Sequence, residues 1–306
     1  MSQLTPKDKV LVITGPTASG KSDIAVNLAQ RFNGEIISAD SRQVYIGMNL
    51  GSGKIAIPEM KGVPHHLLDT ADPKERFSVA NWKKLALRSI QNILQRGKLP
   101  IICGGTGFYI SSLIDGIEFP DIVINQDEQK ELELKTTEEL FEMLRELDPK
   151  RARTIEQKNK RRLSRAILMA KVFGYVPEIS KARPYYDFLF IGITISDNEL
   201  RNRIHKRLLK RLGAGMIEEV KDLHEKGLSR ERLRELGLEY RYVSDFIHGK
   251  LTKSQLIETL STKIWQYARR QKTWWRKEKR IKWFAPDDMA GIIAFLENQI
   301  EKTAIH

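Results

Sequence analysis

One cysteine in 306 residues leaves no partner for an internal disulfide, which suits a reducing compartment. That residue, Cys103, closes the apolar run LPIIC and reads as a small buried hydrophobe. No apolar run approaches the roughly 20 residues that a membrane-spanning helix needs, so no membrane association is expected. The opening segment MSQLTPKDKV carries no apolar signal core, so a cytoplasmic location is expected. His65 and His66 have no cysteine or histidine neighbours at ligand spacing, which argues against a zinc site. Internal repeats and low-complexity stretches are lacking too, so the chain is no solenoid. Acid is in deficit, with 39 Asp and Glu against 52 Lys and Arg, a net charge of +13.

A surplus of that size attracts polyanions. Its distribution sharpens the point. Residues 150–165 (KRARTIEQKNKRRLSR) and 263–282 (KIWQYARRQKTWWRKEKRIK) are densely basic, with Glu156 and Glu278 as their only acids. Such runs suit a nucleic-acid partner, although either alone could be a solvated helix face. Hydrophobic content of 41% and charged content of 30% describe a globular chain able to bury a sizeable core.

Short apolar runs at 10–14 (VLVIT), 35–40 (EIISAD), 99–105 (LPIICGG) and 188–194 (FLFIGIT) read as buried strands, with 65–69 and 280–284 as further ones. Helices fall between them: Lys21 to Phe32, 78–96, about Asn198 to Lys226, and 252–280. In the third of these Leu200, Ile204, Leu208 and Leu212 repeat every four residues, and Arg203, Arg207 and Arg211 precede them by one position. Thr252–Gln255 and Thr136–Glu139 fit capping boxes. Strand signals vanish from Ile117 to Tyr186, where a helix ends at Asp148-Pro149 and the basic run is read as a second helix reaching Gly174. Trp265, Trp274, Trp275 and Trp283 read as core.

Gly15-Pro16-Thr17-Ala18-Ser19-Gly20-Lys21-Ser22 satisfies G-x-x-x-x-G-K-[ST] directly between a predicted strand and a predicted helix. Its backbone N–H groups would converge on phosphate oxygens at the positive end of that helix. Lys21 would reach a terminal phosphate and Ser22 would ligate Mg²⁺. The expected fold is therefore α/β, a P-loop NTPase-like core with a mainly parallel sheet and a small helical insertion. Residues 1–117 form the first part of the core, 118–186 the insertion, and 187–306 the second part with a basic C-terminal helix. The motif names a phosphate chain and not the compound. A GTPase would need N-K-x-D, whereas the Asn-Lys pair here runs Asn159-Lys160-Arg161-Arg162. An ATPase acid could be Asp40 or Asp69, and arginines at 201–211 could form a kinase lid, so both readings stay open. Asp40 ends the second strand, at the sheet edge that faces the ligand crevice.

The segments GPTASGKS, SADSRQVY, PHHLLD, GGTGFY and YARRQKTWWRK, in that order, closely resemble the bacterial tRNA dimethylallyltransferase family. The likeness runs from about residue 9 to residue 283. It implies that the loop grips the diphosphate of dimethylallyl diphosphate rather than ATP. It also implies that the adenosine 3′ of the anticodon is alkylated on its exocyclic amine. Asp40 would then take the amine proton, while Lys21, a Mg²⁺ on Ser22 and Arg207 would steady the leaving group. By the same resemblance Thr106 contacts the target nucleotide. Asp40, Ser41, Arg42 and Gln43, together with Arg161, Arg162, Leu163, Ser164 and Arg165, contact the tRNA anticodon loop. The chain departs from the family at Asn159, where an aspartate is usual, and in a short stretch between Ile117 and Asp148. The zinc finger of eukaryotic members has no counterpart. Rival readings are a free-adenylate dimethylallyltransferase, a P-loop nucleotide kinase and a non-catalytic RNA-binding protein. A monomer is expected.

Overall fold

The computed structural model describes residues 8–120, 126–178, 180–181 and 186–301; the first seven residues of the opening segment lie outside these. Six strands appear among the described residues: β1 (Lys9–Thr14), β2 (Gly34–Ser38), β3 (His65–His66), β4 (Leu99–Gly104), β5 (Asp187–Ile193) and β6 (Lys282–Phe284). They form one sheet in the order β3-β2-β4-β1-β5-β6, and every neighbouring pair is parallel. Continuous apolar runs are what such a sheet requires, because helices cover both faces. β3 stops after two residues, since Leu67 and Asp69 turn the backbone left-handed with φ of 62° and 51°.

The helices are α1 (Lys21–Arg31), α2 (Val79–Gln95), α3 (Gly107–Ile114), α4 (Gln126–Leu134), α5 (Thr137–Leu147), α6 (Pro149–Ala152) and α7 (Lys160–Phe173). After β5 come α8 (Asp197–Gly213), α9 (Met216–Glu225), α10 (Arg230–Glu235), α11 (Leu238–Ile247), α12 (Lys253–Trp275) and, after β6, α13 (Met289–Glu301). Alternation along the strands divides the core. Val10, Val12, Ile37, Ile102 and Phe190 join Trp82, Ile110, Leu208, Val243 and Trp275 on one face. Leu11, Ile13, Ile36, Ile101 and Ile191 join Leu28 of α1 and Leu296 of α13 on the other. Each fully buried aliphatic side chain contributes about 1.5–3 kcal/mol, so the stacked layers dominate stability. Among the described residues no helix is long and apolar enough to cross a membrane.

Contacts divide the chain into two compact units, 1–116 with 183–306, and 117–182. The second unit has its own core of Leu140, Leu144, Leu163, Ile167 and Ala170. Two sequence expectations need correction. The basic run at 150–165 is not one helix, because α6 ends at Ala152 and α7 begins only after Asn159. Asn159 Oδ1 accepts the Arg162 N–H at 3.2 Å, so this family departure keeps the chemistry of a helix cap. The helix expected from Asn198 to Lys226 is likewise two, parted where Gly215 adopts φ 101°.

Asp148 fastens the helical unit. Its Oδ1 accepts from Arg151 N and its Oδ2 from Val176 N, each at 2.8 Å. Burial pushes its pKa up, but the backbone donors Val176, Arg151 and Lys150 outweigh that and hold it below the ordinary aspartate value. The sign follows from linkage. The stabilisation is fully present above the unfolded pKa of about 3.9 and is lost as pH falls through the lower folded value. Asp148→Ala is expected to destabilise this unit by about 2 kcal/mol, a cap plus a second charge-assisted bond. Hydrogen exchange of the α7 amides at neutral pH should then speed up roughly 30-fold; unchanged exchange would dismiss this role.

Candidate active site

Three loops leave the carboxyl edge of adjacent strands β1, β2 and β4. The first carries Gly15 through Ser22. Ala18 and Gly20 adopt left-handed φ of 63° and 93°, and such turns gather successive N–H groups into an anion-binding concavity ahead of α1. Ser19 N donates to Pro16 O at 3.3 Å, and Lys21 Nζ donates to Pro16 O at 3.2 Å, which folds the lysine back over its own loop. The hydroxyl of Ser19 is buried without a protein partner. Burial pulls the Lys21 pKa below its usual value; Cys103 opposes that shift, Arg207 adds to it, and Asp40 opposes it. Lys21, Arg207 and Asp40 thus sit within reach of one another's charge. The Cys103 thiol donates to Lys21 O at 3.6 Å, and burial pushes it up to about 11, leaving it protonated and inert.

The second loop carries Asp40. Its Oδ1 accepts from Arg42 N at 2.8 Å, and its Oδ2 has no protein donor among the described residues. Gln43 is committed to the fold: its Oε1 accepts from Ser38 Oγ and its Nε2 donates to Gly53 O, each at 3.2 Å. The third loop carries Thr106. Its hydroxyl accepts from Ser41 N at 3.1 Å, its own N–H donates to Ala39 O at 3.2 Å, and the Tyr267 phenol lies near it. Burial, reinforced by the Asp40 charge, pushes Tyr267 up to about 12. Only glycine fits at 104, where a Cβ would drive into the Ala39 carbonyl.

Arginines of α8 close one side. Arg203 Nη1 donates to Ser19 O at 3.4 Å, Arg207 Nη2 to Gly53 O at 2.9 Å, and Arg211 Nη1 to Leu50 O at 3.1 Å. The 49–51 backbone is also held by the Glu219 carboxylate, which accepts from Asn49, Leu50 and Gly51 N–H at 2.7–2.9 Å. Asp69, the other ATPase-type acid, is taken by Lys54.

Among the described residues no three His, Cys, Asp or Glu side chains are grouped to hold a metal. His66 instead meets Glu35 at 2.8 Å. Mg²⁺ does not require such a group, since it takes one or two protein oxygens and completes its shell with phosphate and water. Ser22 is exposed at the first turn of α1, beside a cavity of about 20 Å³ also lined by Ser38 and Gln43. Ser38 and Gln43 bond each other and the rest of that lining is mainly apolar, so the exposed Ser22 hydroxyl is the oxygen offered there, and one such oxygen suffices for the ion.

A family model described as IPP transferase matches residues 43–278. The chain belongs to the IPP transferase family. A protein named tRNA dimethylallyltransferase from Acetivibrio thermocellus is 41% identical over 303 residues, covering 95% of this chain and 96% of that one. One of the same name from Anoxybacillus flavithermus is 41% identical over 287 residues, covering 92% and 91%. The solved tRNA isopentenylpyrophosphate transferase of Bacillus halodurans superposes with a TM-score of 0.74 at 36% identity, covering 97% of this chain and 98% of that one. A eukaryotic dimethylallyltransferase acting on tRNA gives 0.75 at 26% identity, over 92% of this chain and 75% of that one. The family match opens at Gln43, past residues 15–22 and Asp40.

Within this member of the family, Gly15 through Ser22, Asp40 through Gln43, Thr106 and Arg207 come together at one end of the sheet. Arg161 through Arg165 lie in the helical unit. Arg161 and Arg162 are exposed there, Arg162 pairing with Glu156 at 3.1 Å, and Arg165 is half-buried. Leu163 differs from its neighbours: its side chain is fully buried in that unit's core. Ser164 is buried too, and its hydroxyl donates to Lys160 O at 3.0 Å. Trp265 and Trp275 are core as expected, but Trp274 and Trp283 are 45% and 37% exposed. Trp274 lies against Gly107, which has no side chain to cover it, and Nε1 donates to Ser111 Oγ at 3.3 Å.

Sequence reasoning missed Gln271, whose amide links the first and third loops. Its signal was available: a glutamine on the apolar face of α12, between Ala268 and Trp275. Glu219 carried no such mark.

Proposed function

We propose that this enzyme transfers the dimethylallyl group of dimethylallyl diphosphate to the exocyclic amine of the adenosine 3′ of the anticodon in tRNA. The observation that carries the reading is the meeting of a phosphate cradle with a carboxylate, Asp40, whose Oδ2 has no donor among the described residues. The adenine amine is a poor nucleophile, because its lone pair is delocalised into the ring. As its nitrogen bonds to the allylic carbon, the carbon–oxygen bond to diphosphate breaks and the amine proton passes to Asp40. Charge gathering on the departing diphosphate is met by loop N–H groups, Lys21 and Arg207. Ser22 would hold Mg²⁺, which would supply further charge to the leaving group. Thr106, held by Ser41 and Ala39, borders the place where the base would enter.

The target base has to leave its stack, at a cost of a few kcal/mol. Phosphate contacts from Arg161, Arg162 and Arg165, and from the basic end of α12, would supply that energy. The single cysteine suits a cytoplasmic enzyme, and the reaction needs no second subunit. Incubating the protein with Mg²⁺, labelled dimethylallyl diphosphate and either unmodified tRNA or AMP tests the reading. Label is expected in tRNA; label in AMP alone, or phosphate exchange with ATP without transfer, would overturn it.

A further inference from the structure

We propose that Gln271 is a positioning residue that holds the phosphate loop in register with the loops bearing Thr106 and Asp40, an inference that rests on the transfer reaction above. Its side chain is buried in α12, on the face that also presents Ala268 and Trp275 to the core. Oε1 accepts the Thr17 N–H at 2.8 Å, and Nε2 donates to Gly105 O at 2.9 Å. One neutral amide thereby joins the loop after β1 to the loop after β4. The next joint is already described: Thr106 receives Ser41 N–H and donates its own N–H to Ala39 O. A continuous row of bonds therefore runs from the phosphate loop, through Gln271 and Thr106, to the residues on either side of Asp40.

The position of this link matters. The β1–β4 ladder ends at the Thr14–Gly104 pair, and among the described residues no strand pairing aligns the two loops beyond it. Gly104 and Gly105 add no side chain that could lock the loops by packing. Gln271 sits where the ladder stops. The reaction needs the allylic carbon and the amine nitrogen about 3–3.5 Å apart and in line, and a misplacement of about 1 Å can cost roughly 10²-fold. Few side chains can replace the amide. Met fills the same space with no donor and only a weak sulfur acceptor, Asn is one methylene short, and Glu keeps the acceptor but loses the donor.

The test compares wild type with Gln271→Met, using labelled dimethylallyl diphosphate and an unmodified tRNA transcript. Turnover is expected to fall about 10- to 100-fold, with KM for both substrates little changed and the melting temperature largely kept. Gly105→Ala, whose Cβ would strike the Gln271 amide, should show the same pattern. The double variant should be no slower than the slower single one, because both changes break one link. Turnover within about twofold of wild type would overturn the proposal. So would independent, multiplying losses in the double variant, or a loss fully explained by the unfolded fraction. Should Gln271→Met fail to fold, Gln271→Glu carries the same comparison at saturating donor. A wild-type enzyme that leaves tRNA unlabelled would instead overturn the transfer reaction, and is distinguishable from labelled tRNA with an unimpaired variant.

Discussion

Asp40→Asn is expected to slow dimethylallyl transfer to tRNA by about 10²-fold or more, with tRNA affinity nearly unchanged. Asparagine has almost the same shape, and its Oδ1 can still accept the Arg42 N–H that holds Asp40 at 2.8 Å. What it lacks is basicity. The proton released as the carbon–nitrogen bond forms must then go to water, and a positioned base is worth about 10²–10⁴-fold. Binding should survive, because the bonds of Ser41 and Thr106 do not pass through the carboxylate. Single-turnover rates at saturating donor, set beside filter binding of tRNA, separate the two effects. A variant as fast as wild type would remove Asp40 from the chemistry.

Lys21→Ala should be comparably severe, with turnover down about 10²–10³-fold, the range for removing one group that stabilises developing charge. In the structure the ammonium bonds Pro16 O and is partly stripped of water, which lowers its pKa. An anionic leaving group would reverse that tendency and keep the lysine charged. Its attraction is strongest when the allylic carbon–oxygen bond is breaking, so the loss belongs mainly in turnover and less in donor KM. A variant that turned over normally, or that was impaired only in donor KM, would show that backbone amides and Arg207 suffice.

Strands and helices with a strong local signature could be read along the chain. The apolar runs of β1, β2, β4 and β5 and the capping boxes at Thr136 and Thr252 declare themselves within a few residues. The phosphate loop is equally local, since eight consecutive residues make it. Misreadings arose where one residue interrupts a good pattern. Gly215 breaks α8 from α9 although the apolar spacing carries on, and residues 153–159 unwind inside a densely basic run. Leu163 was drawn into a binding segment by its neighbours, yet its own side chain serves the helical core.

By itself the sequence determined an α/β fold, a glycine-rich loop between a strand and a helix, and an acid at a strand end, because those depend on residues adjacent in the chain or repeating at a fixed period. Only the tertiary structure decided that β4 enters between β1 and β2, so that Thr106 meets the Asp40 loop. It also decided that Gln271 reaches Thr17 across 254 positions, and that Glu219 pins the loop beside Arg207. Such contacts join residues far apart in the chain, and their partners leave no periodic trace in one another's neighbourhoods.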